Sequence, residues 1–133
     1  MPDGRRARLL ALVGAMLALT AVDLVQKAFE PVYGHPRGVG YVALAAVLVA
    51  FLVAFVPRVP SLPLSLAGGV AAAGALGNAV SALAWRGGVP NPIVAGVVAF
   101  NVADLCAVMG AAGLVGGAAL HAVRHPELLR QPI

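Results

Sequence analysis

Long apolar stretches with few interruptions set the pattern of this chain. No charged side chain occurs across 38–57 or across 59–85, and each stretch meets the roughly 20 apolar residues that a bilayer-crossing helix needs. A third stretch, 9–29, is interrupted near its end by Asp23 and Lys27, and a fourth, 93–122, by Asp104. Ala, Leu and Val dominate without the two-residue alternation of a barrel strand, and backbone polar groups cannot stay unpaired in lipid. The pattern predicts an all-α integral membrane four-helix bundle. It is read as a single transmembrane domain over 1–133, with helices at about 9–29, 38–57, 61–84 and 93–122.

Turn-forming residues separate these stretches. In "EPVYGHPRGVG", Pro31 is expected to end the first helix, and "VPRVPSLP" makes a tight turn between the second and third. In "WRGGVPNPI", Pro90 and Pro92 flank Asn91 and hold it in an extended segment at the mouth of the bundle. Gly69, Ala73 and Gly77 recur four apart, as do Gly113 and Gly117, a spacing that lets helix backbones approach closely in lipid.

Composition agrees with this picture: 61% of the 133 residues are hydrophobic and 11% charged, far from the balance of a soluble domain. The basic, then apolar, N-terminal region resembles a secretory signal, but without a clear small-residue cleavage site it is read as an uncleaved first helix. Arg5, Arg6, Arg8, Arg58, Arg124 and Arg130 fall at one end, and Lys27, Arg37 and Arg86 at the other. The positive-inside rule then predicts both termini in the cytoplasm. The net charge of +4 is spread over loop ends without forming a stripe, so it calls for no nucleic acid. Cys106 has no partner for a disulfide and reads as a small apolar filler, while Trp85 reads as an interfacial anchor. His35 is expected on the opposite side from His121 and His125, so the three do not form one metal site.

Polar side chains within the apolar stretches carry the chemical interest. Asp23 and Lys27 stand four apart with the acid first, the favourable order for a helical ion pair. Such a pair either lies at the interface with Lys27 snorkelling or takes part in function. Asn101 precedes Asp104 by three residues and shares its helix face. Asn78 approaches the same depth if the third and fourth helices are antiparallel. A buried Asp in such a place acts either as a protonated structural donor or as a functional acid.

These residues resemble the lipoprotein signal peptidases (signal peptidase II). "FNVAD", residues 100–104, matches that family's FNxAD element; "GALGN", residues 74–78, resembles the start of its GNxxDR element; "DLVQK", residues 23–27, resembles its first-helix Asp and Lys. The resemblance implies an aspartic endopeptidase of the plasma membrane that removes the signal peptide of lipid-modified prolipoproteins. It implies no metal or cofactor, Asp104 as one catalytic acid, and a substrate-binding nook containing Asn101, Asn78, Asp23 and Lys27. The chemistry needs two carboxylates, one to deprotonate water and one to protonate the scissile carbonyl.

The chain departs from that pattern in three places. Asn91 stands where the second catalytic Asp is expected, and an amide neither takes up nor releases a proton at working pH. Ser81 and Ala82 replace the Asp and Arg of GNxxDR, and the outward loop with an NxGxxF element is missing. The expectation is a catalytically impaired relative whose partners are prolipoprotein signal peptides or membrane lipids. The alternatives are an active peptidase pairing Asp104 with Asp23, and a small transporter subunit carrying protons or cations past those acids.

Overall fold

The computed structural model describes residues 2–30 and 33–126, so the expected stop at Pro31 and the tail position of Arg130 lie outside the described residues. Helix α1 spans Pro2–Phe29, α2 Val39–Phe55, α3 Leu62–Ala84 and α4 Val102–Arg124. All four are long and apolar enough to cross a membrane. The first helix begins well before residue 9, adding about two turns that carry Arg5, Arg6 and Arg8. A 3-10 turn, Val56–Arg58, follows α2 where Pro57 interrupts its hydrogen bonding. Ser61 then caps α3, its hydroxyl accepting from the Leu64 N–H at 3.3 Å.

The fourth helix corrects the expected 93–122 boundary. Residues 93–100 form an antiparallel hairpin, β3 (Ile93–Ala95) with β4 (Val98–Phe100), turned by Gly96 and Val97. The physical reason lies in the local sequence: β-branched residues follow Pro92, and Gly96 supplies the positive φ of 62° that a tight two-residue turn requires. Two further short strands, β1 (Gly34–His35) and β2 (Val89–Pro90), pair antiparallel and tie the first connection to the third. A Cβ on Gly34 would collide with the Gly87 carbonyl, so this junction tolerates no side chain there.

Helix α3 is the central element, packed by α1, α2 and α4. Small residues make this possible. A Cβ on Gly69 would lie 2.5 Å from the Leu12 carbonyl of α1, and one on Gly74 would lie 2.5 Å from the Ala107 N–H nitrogen of α4. Gly110, outside the expected Gly113 and Gly117 pair, faces the Ala71 backbone so closely that any side chain would collide. Met16, Leu52, Ala71 and Ala72 form an apolar core between α1, α2 and α3. Helix α2 rests mainly on α3, which leaves a trench between α2 and α4.

The ends of the bundle differ in character. At one end the Arg8 guanidinium donates to the Pro57 carbonyl at 3.1 Å, joining α1 to the α2–α3 turn. At the other, the two strand pairs cover a cluster of buried polar side chains.

Candidate functional site

Asp23, Lys27, Asn78, Ser81, Asn91 and Asn101 are all buried at the strand-covered end. Lys27 does not snorkel. It turns inward and is fully buried, its ammonium donating to Asp23 Oδ2 at 2.7 Å, Asn78 Oδ1 at 2.9 Å and Ser81 Oγ at 3.0 Å. These three acceptors use all three of its protons. Asp23 in turn accepts from the Ala103 N–H at 2.8 Å, so a carboxylate of α1 meets a free N–H in the first turn of α4. A Cβ on residue 77 would lie 2.6 Å from Asp23 Oδ2, which explains why glycine precedes Asn78.

Asn78 lies between the two charged centres. Its carbonyl oxygen faces Lys27, and its amide donates to Asp104 Oδ1 at 2.8 Å. Asn101 and Asp104 share more than a face: together they cap α4. Asn101 Oδ1 accepts from the Asp104 N–H at 2.9 Å, and Asp104 Oδ2 accepts from the Asn101 N–H at 3.2 Å, a reciprocal capping box. Both Asp104 oxygens therefore accept from N–H groups.

Asn91 is buried, and its contacts define its role. Its oxygen accepts from Asn101 Nδ2 at 2.7 Å, and its amide lies 3.0 Å from His35 Nδ1. Asn101 also donates to the Pro90 carbonyl at 3.2 Å. A hydrogen-bonded chain thus runs from His35 through Asn91 and Asn101 to Asp104, and onward through Asn78 to Lys27 and Asp23. Asn91 meets Asp104 by way of Asn101, and Asp23 meets it by way of Asn78 and Lys27. The six residues singled out in the sequence form one network; Ser81 and His35, noted there for other reasons, also belong to it. Ser81 is one helical turn beyond Asn78, a spacing that signals a shared face.

One side of this network opens on the trench. Asn78 and Asp104 form its polar end; its floor is Ala71, Gly74 and Ala75, and its α4 wall continues through Ala107 and Ala111 to Leu114. The trench encloses about 320 Å³. From Asp104 to Leu114 it runs about 15 Å at the usual helical rise, half of a hydrocarbon core of roughly 30 Å.

Cys106 is buried, as a filler would be, and His121 and His125 lie at the far end of α4 from His35. Among the described residues no group of three or more His, Cys, Asp or Glu side chains is placed to hold a metal ion. No protein-family model, curated protein or solved structure matches this chain.

Proposed function

We propose that this chain is a non-proteolytic relative of the lipoprotein signal peptidases that binds lipid-modified signal helices in the plasma membrane. In this reading both termini face the cytoplasm, and the strand-covered end faces outward. The three short motifs and their order motivate the family. The observation that supports the impaired chemistry is that no second carboxylate is hydrogen-bonded to Asp104 among the described residues. Of its two possible partners, Asn91 is engaged with Asn101 and His35, and Asp23 with Lys27 and Ala103. Each oxygen of Asp23 already accepts a hydrogen bond, Oδ1 from the Ala103 N–H and Oδ2 from Lys27, and Asn78 links Lys27 to Asp104.

The trench supports a binding role. It is apolar along its length, polar at one end and one leaflet long; these are the dimensions of an acyl chain anchored at the membrane surface. Passage of ions is less well supported, because beyond the polar cluster the buried interior is mainly Leu12, Met16, Leu52, Ala71 and Ala72, and its polar groups among the described residues are the neutral hydroxyls of Thr20 and Ser65.

The test uses the purified chain in detergent with a diacylated prolipoprotein. Binding without cleavage is expected, and Ala111→Phe, which fills the trench, should weaken binding at least about tenfold, the effect of losing roughly 1.4 kcal/mol. Cleavage that disappears with Asp104→Asn would overturn the non-proteolytic reading. Unchanged binding by Ala111→Phe would overturn the trench as its site.

A further inference from the structure

A second pocket lies at the opposite end of the bundle, between the start of α3 and the last turns of α4. It encloses about 290 Å³ and is lined by Leu62, Leu120, His121, Arg124 and His125 among others. No acid lines it among the described residues. The His121 and His125 rings, one helical turn apart, lie 4.6 Å from each other at 47°. An imidazole keeps an N–H donor whether neutral or charged, and the Arg124 guanidinium is a permanent cation with a fork suited to phosphate. The start of α3 forms a wall here, with the Leu64 N–H already taken by Ser61 and Pro63 without one.

The surroundings favour a lipid. Arg5, Arg6 and Arg8 in the first turns of α1 and Arg58 after α2 lie at the same end, where Asp3 is the one acid among the described residues. Leu62 and Leu120 remain about half exposed beside the pocket, at 51% and 50%. They give a headgroup site an adjoining apolar surface.

We propose that this pocket seats the phosphate of an anionic phospholipid, held by His121 and Arg124 beside the His125 ring, with an acyl chain along Leu62 and Leu120. Basic pockets between membrane helices are a recurrent headgroup site. The site rests on the chain spanning a membrane but not on the trench or on any peptidase ancestry. The Arg124 cation lining the same pocket disfavours the other ligand that the two imidazoles suggest, a divalent metal.

The full-length chain in detergent, titrated by native mass spectrometry with phosphatidylglycerol and phosphatidylcholine of equal chain length, tests the proposal. One phosphatidylglycerol should be retained in preference to phosphatidylcholine. Arg124→Gln, and separately the double variant His121→Gln with His125→Gln, should each weaken it about fivefold. Arg86→Gln, at the other end, should not. Equal retention of the two lipids, or equal loss in Arg86→Gln and Arg124→Gln, would overturn the site. Displacement by millimolar inorganic phosphate would make it a free-anion site, and binding of zinc ions abolished by the double variant would make it a metal site; either result overturns the lipid assignment.

Discussion

Lys27 is the side chain on which the interior depends most. Its desolvation is offset by one carboxylate and two neutral acceptors, and removing the ammonium leaves Asp23 buried without its counter-ion. Lys27→Met is expected to cost about 3–5 kcal/mol of stability, whereas Lys27→Met combined with Asp23→Leu should cost much less. Thermal unfolding of the three proteins in one detergent measures the difference, and a double variant as weak as the single would show that the pair is not coupled. At the site itself, Asn91→Asp restores an acid to the position where the family resemblance expects one. Because Asn101 stands between residue 91 and Asp104, this variant should acquire no prolipoprotein cleavage. Turnover that depends on both acids would show that the intervening amide can move aside.

At the scale of elements, α4 depends on its first turn and on one glycine. Asn101→Ala removes the cap and should destabilise the protein by about 1–2 kcal/mol. Hydrogen exchange at Ala103 to Cys106 should rise with it, since the Asp104 N–H loses its side-chain acceptor and only the bond from the residue-101 N–H to Asp104 Oδ2 is left of the capping box. Protection unchanged in that turn would mean that Asp23, through the Ala103 N–H, suffices to hold the helix start. Gly110→Val would drive α4 away from the Ala71 backbone, an overpacking that costs about 1–3 kcal/mol and widens the trench. The four apolar stretches were legible as helices because length and hydropathy are local properties. The start of α4 was not, because "IVAGVVAF" is as apolar as a helix, and its hairpin depends on Gly96 and the cap at Asn101. The close approach at Gly110 was equally hidden, since small-residue spacing does not say which glycine faces which neighbour.

For the molecule as a whole, the two ends predict an orientation. Arg8 bonded to Pro57, Arg58 and the Arg124 pocket mark the basic end, and the strand pairs mark the other. With cysteine introduced at position 97, on the exposed hairpin tip, a membrane-impermeant maleimide should label intact cells. With cysteine introduced at position 124, labelling should need permeabilisation. Cys106 is 7% exposed and should leave the background silent. The reverse pattern would invert the assigned topology and place the trench's polar end in the cytoplasmic leaflet.

The sequence by itself determined that four helices form, where most of them end, and which polar residues lie within them, because each of these follows from runs of residues near in the chain. Spacing paired Asp23 with Lys27 and Asn101 with Asp104, and the family resemblance drew these four together with Asn78 and Asn91. Only the tertiary structure decided the bonds between elements: Lys27 inward onto Asn78 and Ser81, Asp23 onto the α4 backbone, and Asn91 onto Asn101 and His35. Those bonds join residues up to 80 positions apart. Their geometry is set by how closely α1 and α4 approach α3, a distance fixed by glycine contacts between helices and by no single segment alone.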